Sequence, residues 1–200
     1  MSDKDYRGDW KMKVVILNGP PNSGKDVGAE HLSKVFEGYH KEFKGILFKA
    51  TKAAFGLTDD VWGILYKRES KELPSTYLIH NGEYISPRTA MINTSENVIK
   101  PLFGQDAFGK ALANDLEDGI NFVSDGGFAS EVKPISDMVG PENVLILRIR
   151  REGCTFQGDS RRELSYNDVE KGITIEDVNN VGDLCEYLDK LESKVKDWLR

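Results

Sequence analysis

The sequence predicts an α/β fold, a three-layer sandwich with helices on both faces of a parallel sheet of roughly five strands. Three observations predict it. Short, continuous apolar runs rich in β-branched residues recur along the chain, as in strands buried on both faces. Helix-period segments separate these runs, and strand–helix alternation goes with parallel pairing. The first run, Val14 to Leu17, ends in a glycine-bounded loop that leads straight into a helical pattern.

Residues 1–11 read as a polar lead-in containing Trp10. Val14–Leu17 is the first strand and Asp26–Glu37 the first helix. The runs Ile46–Phe48, Asn121–Ser124, Val144–Ile149 and Ile173–Val178 supply the other strands. Helical periodicity covers Thr51–Phe55, Pro87–Phe103, Ala107–Leu116, Ser130–Met138 and Gly182–Leu199. Two segments break the alternation: Thr58–Ser86 holds no clear strand, and Gly153–Tyr166 is polar, glycine-containing and arginine-rich. Long irregular insertions of this kind serve as lids or substrate loops, or are tolerated surface insertions. No internal repeat or low-complexity tract is present, and 200 residues fit a single domain, 1–200.

Hydrophobic residues at 39% and charged residues at 30% describe an ordinary soluble globular chain rather than a disordered one. A net charge of −6 argues against broad, non-specific binding to nucleic acid or an anionic membrane. It leaves room for a local basic pocket, and arginines cluster at Arg148-Ile149-Arg150-Arg151 and Arg161-Arg162. Cys154 and Cys185 form no CxxC pair, whereas structural zinc needs about four ligands. They read as isolated reduced thiols, with one disulfide as the alternative. The N-terminal stretch carries acids and no apolar core, so it is not a secretory signal, and no apolar run approaches a membrane span. A cytoplasmic enzyme or binding protein is the expectation.

The loop Gly19-Pro20-Pro21-Asn22-Ser23-Gly24-Lys25-Asp26 carries the chemistry. Glycines at this spacing let backbone N–H groups turn around phosphate oxygens, Lys25 can reach the outer phosphates, and the following helix offers its positive end. Gly19, Asn22, Ser23, Gly24 and Lys25 are therefore candidate phosphate-binding residues. The alternative is a glycine-rich strand-to-helix turn with no ligand. Asp26 stands where a serine or threonine hydroxyl normally meets Mg2+; it can be a metal ligand or a helix-start aspartate favoured by the dipole. Asp125, in "INFVSDGGF", falls at a strand end where an acid would organise Mg2+, or is an ordinary turn aspartate before two glycines. Beside such a loop the metal role is the stronger reading.

With these residues in place, the chain resembles the bacteriophage-type deoxynucleoside monophosphate kinases, within the P-loop nucleoside monophosphate kinase superfamily. The Gly-Lys-Asp ending of the loop is a habit of that family. Further resemblance runs through "LFKATKAAFGL" (Leu47–Leu57), "SPRTAMINTSENVIKPLFGQDAFGKAL" (Ser86–Leu112), "FVSDGGFASE" (Phe122–Glu131) and "IEDVNNVGDLCEYLDKL" (Ile175–Leu191), in order along most of the chain. Several positions depart from the pattern. Gly127 stands where the family has an arginine after the strand-end aspartate, Ile92 replaces a polar residue, and Ser95-Glu96 replaces Gly-Thr. Lys100 and Phe108 occupy places commonly held by arginine and tryptophan.

The resemblance implies a P-loop kinase sheet with a helical NMP-binding insertion at about 50–112 and an arginine-rich lid at about 151–166. It implies transfer of the ATP γ-phosphoryl group to a deoxynucleoside monophosphate, with Mg2+, giving the diphosphate and ADP for DNA precursor synthesis. Lys25 would hold the donor phosphates, and Asp26 and Asp125 the metal. Arg88 would grip the acceptor phosphate, with Lys100 beside it, because a guanidinium fork matches phosphate oxygens; a solvated first-turn arginine is the alternative. Phe48, Lys49, Asp125 and Phe128 complete the acceptor candidates, with core packing open for the two phenylalanines. Arg151 and Arg161 are the lid arginines expected to act, while of Arg148 and Arg150 one is expected to face away. Asn180 and Gly182 would form the turn under the adenine, or a plain strand-to-helix turn. Partners would be ATP and a deoxynucleoside monophosphate, with no nucleic acid or membrane; a homodimer is compatible with the resemblance. The location would be cytoplasmic, in the host cytoplasm if phage-encoded. Two competing readings are a phosphomevalonate kinase, whose loop also ends Gly-Lys-Asp, and a nucleotide-binding regulatory protein that has lost transfer.

Overall fold

The computed structural model describes residues 12–200; the lead-in 1–11, with Trp10, lies outside the described residues. The chain divides into two compact units. One comprises the residues up to Phe43 together with Gly109–Arg200, and the other is Lys44–Phe108.

The first unit holds a five-stranded, all-parallel sheet. Its strands are β1 (Lys13–Asn18), β2 (Tyr39–Lys41), β5 (Ile120–Gly126), β6 (Val144–Arg150) and β7 (Thr174–Asn179), in spatial order β2-β5-β1-β6-β7. Val14 to Leu17 of β1 are fully buried, as a central parallel strand requires. Side chains alternate between faces, so Val15 and Leu17 join Phe122, Leu145, Leu147 and Ile149 on one side. Two helices cover that side: α1 (Lys25–Val35) through Ala29 and Leu32, and α8 (Leu184–Trp198) through Tyr187, Leu191 and Val195. Spacing of four residues puts those three α8 side chains on one stripe. The start of α8 is fixed by Asp183, whose carboxylate accepts the Glu186 N–H at 2.9 Å. On the other side α7 (Ala129–Val139) packs against β1 and β6, burying Val132 and Ile135. The result is the three-layer α/β sandwich that the sequence predicts.

The second unit is mostly helical. It contains α2 from its second residue (Phe43–Phe55), α3 (Asp59–Leu65), a short hairpin of β3 (Ile79–His80) and β4 (Glu83–Tyr84), α4 (Pro87–Thr94) and α5 (Lys100–Phe103). Helix α6 (Ala107–Ala113) begins here and returns the chain to the sheet. Ser86 caps α4 by accepting the Thr89 N–H at 3.1 Å, with Pro87 in the first turn. Phe48, Trp62 and Tyr66 form an aromatic cluster with ring centroids 4.7–5.6 Å apart. Trp62 is a packing residue.

Two expectations need correction. Ile46–Phe48 is not a strand but part of α2, and the second strand is Tyr39–Lys41. Phe43, Ile46 and Leu47 fall at helical spacing, while β2 is an edge strand pairing only with β5 and needs no apolar run. Thr58–Ser86 does contain strands, in the β3–β4 hairpin with Ile79 opposite Tyr84. Pro87–Phe103 is helical throughout but passes through a π turn at Ser95–Ile99, where the Lys100 N–H reaches back to the Ser95 carbonyl. The next residue, Pro101, has no N–H and its ring would crowd the Asn97 carbonyl in α register, which the wider turn relieves.

Candidate functional site

Strand β1 lies between β5 and β6, so neighbouring connections diverge at its carboxyl end, where α/β sheets hold ligands. The loop 19–24 occupies that end. Gly24 immediately precedes α1 with φ +102°, in the left-handed region. A Cβ there would lie 2.7 Å from Asn180 Nδ2 and 3.2 Å from Tyr187 Cε1. Both neighbours are bonded to the loop: Asn180 Nδ2 donates to the Ser23 carbonyl at 2.8 Å, and the Tyr187 hydroxyl to the Gly24 carbonyl at 3.1 Å. Arg151 Nη1 donates to the Asn22 carbonyl at 3.2 Å. A trans peptide sets its N–H opposite its C=O, so the N–H groups of Gly24 and Lys25 point away from Asn180 and Tyr187. Ser23 is completely buried, yet its Oγ has no hydrogen-bond partner among the described residues. That oxygen lies over Gly19, 2.7 Å from where a Cβ on Gly19 would be. An orphaned buried hydroxyl costs roughly 1–3 kcal/mol and calls for an explanation, which a ligand oxygen would supply.

Lys25 is buried, and its Nζ donates to the Pro20 carbonyl of the same loop at 2.6 Å. Burial pulls its pKa down to about 8, with the nearby Arg161 charge adding to the effect; the opposing pull of Asp26, Asp159 and Asp125 is too weak to restore it. Desolvation wins over three carboxylates here. Such a lysine gains most from a ligand that brings negative charge.

Asp125, near the end of β5, is almost buried, and one carboxylate oxygen accepts the Phe43 N–H at 2.8 Å. Asp26 lies exposed in the first turn of α1. Among the described residues no group of three or more His, Cys, Asp or Glu side chains is gathered as a metal cage. Mg2+ does not need one, since it takes one or two carboxylates and fills its octahedron with water and phosphate oxygens. Asp26 and Asp125, both acting electrostatically on Lys25, fit that kind of site. Phe128 precedes α7, and its carbonyl accepts the Glu131 N–H at 3.1 Å.

The arginines separate by role. Arg161 is partly buried and bonded to Asp159, which together with neighbouring acids holds the guanidinium firmly charged. Arg148 and Arg150 do not point to opposite sides. Two residues apart on β6 they share a face, and both bond the carboxylates of Glu163 and Asp177. The segment after Arg161 is anchored rather than loose: the Asn18 side chain donates to the Arg162 carbonyl at 3.0 Å and accepts the Leu164 N–H at 3.0 Å, and Leu164 is fully buried. Gly182 sits in the turn before α8. Cys154 and Cys185 are unpaired thiols.

Sequence reasoning missed Asn18, Tyr187 and Asp159. Asn18 had one signal, a polar residue closing a buried apolar strand. Tyr187 had none, because its spacing from Leu191 and Val195 reads as core.

Of the acceptor-side candidates, Asp125 and Phe128 lie in the first unit and Phe48, Lys49, Arg88 and Lys100 in the second. Arg88, in the first turn of α4, is exposed, with Nη1 3.4 Å from Glu72 Oε1. Lys100 pairs with Glu96 across one helical turn. Lys49 is exposed on α2, and Phe48 packs with Trp62 and Tyr66. Within this unit Thr51 Oγ1 and Trp62 Nε1 are buried without a hydrogen-bond partner among the described residues.

No protein-family model and no curated protein sequence matches the chain. Among solved structures it is similar in fold to TT1252 from Thermus thermophilus, with a TM-score of 0.50 at 13% identity, covering 94% of this chain and 98% of that one. A gluconokinase from Sinorhizobium meliloti 1021 aligns with a TM-score of 0.47 at 9% identity over 95% of this chain and 94% of its own. A thymidylate kinase from Candida albicans aligns with a TM-score of 0.43 at 13% identity, over 94% and 90% respectively. At these identities the likeness is one of fold. No helix among the described residues is long and apolar enough to cross a membrane.

Proposed function

We propose that the chain is an ATP-dependent phosphotransferase whose acceptor is a deoxynucleoside monophosphate. The observation that carries the reading is the loop itself, with its carbonyls tied down by Asn180, Tyr187 and Arg151, a buried lysine short of negative charge, and the orphaned Ser23 hydroxyl. That combination asks for a chain of phosphate oxygens.

In this reading Gly19, Asn22, Ser23, Gly24 and Lys25 hold the β and γ phosphates of ATP. Bound Mg2+ would neutralise charge on those oxygens, with Asp26 and Asp125 holding it. Arg151 and Arg161 stabilise the charge that spreads over the transferred group, a contribution of ~10³-fold or more where arginines do this. Arg88, with Lys100, is assigned to the acceptor phosphate, and Phe48, Lys49, Asp125 and Phe128 are the other residues assigned to acceptor binding. The acceptor is already an anion, so no strong general base is needed and catalysis consists of alignment and charge stabilisation. Residues of about 50–112 act as the NMP-binding region and about 151–166 as the arginine-rich lid of one kinase domain, 1–200. Asn180 and Gly182 flank the adenine. The protein works in the cytoplasm on small molecules, with neither nucleic acid nor membrane as partner, and a homodimer is compatible with this chemistry.

The test is ADP release from Mg-ATP with dAMP, dGMP, dTMP, dCMP or phosphomevalonate as acceptor. Turnover with one or more nucleotides is expected. Turnover with phosphomevalonate alone would assign the other acceptor, and ATP binding without turnover on any acceptor would favour a regulatory protein.

A further inference from the structure

Arg161 lies where a side chain on residue 127 would begin. A Cβ built on Gly127 would meet the Cβ, Cγ and Cδ of Arg161 at 2.6–2.7 Å. The stem of the arginine therefore rests directly on the glycine backbone. Because the contact includes the root of the side chain, even a methyl group at 127 displaces the arginine rather than brushing its tip. The Arg162 N–H also donates to the Gly127 carbonyl, at 3.4 Å, and holds the two segments together.

The other end of Arg161 is fixed by Asp159. Arg161 Nε and Nη2 donate to the two carboxylate oxygens at 3.0 and 2.7 Å, and the Arg161 backbone N–H donates to the first of these at 2.9 Å. The Asp159 side chain is only 7% exposed and that of Arg161 25%. An ion pair between near neighbours on an open loop contributes little. This one is bidentate, has its carboxylate side buried, and is seated on a residue with no side chain. The charge of Arg161 acts on Lys25, and the charges of Asp125 and Glu131 act on Arg161.

We infer that Asp159 is a positioning residue and Gly127 a seat, which together fix the Arg161 guanidinium so that it meets the phosphate chain of a nucleoside triphosphate. The inference rests on the donor-phosphate reading of the loop. It also accounts for Gly127, the position at which the resembling family carries an arginine. Here the guanidinium comes from the segment after β6, and an arginine at 127 would collide with it.

The experiment is a double-mutant cycle of Asp159→Asn with Arg161→Ala in the full chain, read in two ways. Affinity for inorganic pyrophosphate, by calorimetry, needs no transfer; kcat for ADP release with a deoxynucleoside monophosphate does. Asp159→Asn keeps the shape and the backbone hydrogen bond but removes the charge. It is expected to weaken pyrophosphate binding by about 3–10-fold and to lower kcat by about 10-fold, leaving the acceptor KM within about twofold. Both effects should vanish in the Arg161→Ala background, and Asp159→Glu should restore part of each. Gly127→Ala should weaken pyrophosphate binding in the same way, and that loss should vanish in an Arg161→Gly background, which removes the Cβ that alanine would leave 2.6 Å away. Wild-type affinity and kcat in Asp159→Asn, or losses that persist without Arg161, would overturn the inference. If the wild-type chain binds pyrophosphate but transfers to no acceptor, the phosphotransfer reading falls and the affinity cycle alone judges the positioning role. Absence of pyrophosphate binding in the wild type overturns both.

Discussion

The loop after β1 and the segment Lys44–Phe108 hold their candidate residues in opposite ways. In the loop three carbonyls are held from far along the chain: Asn180 holds that of Ser23 from 157 residues away, Tyr187 that of Gly24 from 163 and Arg151 that of Asn22 from 129. In Lys44–Phe108 the charged candidates pair with local partners: the exposed Arg88 with Glu72, and Lys100, whose side chain is only 14% exposed, with Glu96. A cradle built before its ligand arrives costs no reorganisation on binding, which is what stabilising phosphate charge requires. An exposed arginine with one partner at 3.4 Å, as Arg88 is, would suit an acceptor that must be taken up and released each cycle. The two regions therefore differ in which step their substitutions should touch.

The largest effect is expected in the loop. Lys25→Ala should lower kcat by ~10³-fold or more, with the thermal midpoint unchanged or raised because a desolvated ammonium is removed. Turnover near the wild-type level would dissolve the distinction between the two regions. Arg88→Ala sharpens it from the other side: acceptor KM should rise about tenfold, kcat should fall, and calorimetric ATP affinity should stay the same. A change confined to ATP affinity would put Arg88 in the wrong half of the reaction.

Next comes pH. The folded-state pKa of Lys25, about 8, lies below its ordinary 10.5. The unfolded chain therefore binds more protons between those values, and the contribution of Lys25 to stability rises with pH across that window. Nucleotide affinity should move the other way. Phosphate favours the ammonium, so ATP binding should weaken above about pH 8 and take up protons, which calorimetry in buffers of different ionisation heat would reveal. Lys25→Met should flatten that dependence. The smallest effect is expected for Tyr187→Phe, which loses one hydrogen bond, about 1 kcal/mol in a denaturant titration. The Gly24 carbonyl still accepts the Gly28 N–H at 2.9 Å, so it is not orphaned.

What could be read in advance follows the same division. The glycine-bounded loop is contiguous, so spacing alone singles out Gly19, Gly24 and Lys25 as candidates, and the buried runs of β1, β5 and β6 announce a parallel sheet. β2 could not be read because an edge strand carries no apolar signature, and the apolar run after it belongs to a helix. Asn18, Tyr187 and Asp159 act through partners the fold brings together, and no local pattern marks a hydroxyl whose partner is a carbonyl 163 residues away. The strand alternation of Arg148 and Arg150 was legible in principle, since residues two apart share a face; both are spent on Glu163 and Asp177. Gly127 reads in sequence as a missing phosphate contact. In the fold it is the surface on which Arg161 lies.

The most direct test of the donor–acceptor division is ADP release from Mg-ATP measured with and without a deoxynucleoside monophosphate, in the wild type and in Lys25→Ala. Release should rise at least about 100-fold when the acceptor is added and should be lost in the variant. Release at the same rate with no acceptor present, or undiminished in Lys25→Ala, would contradict that division.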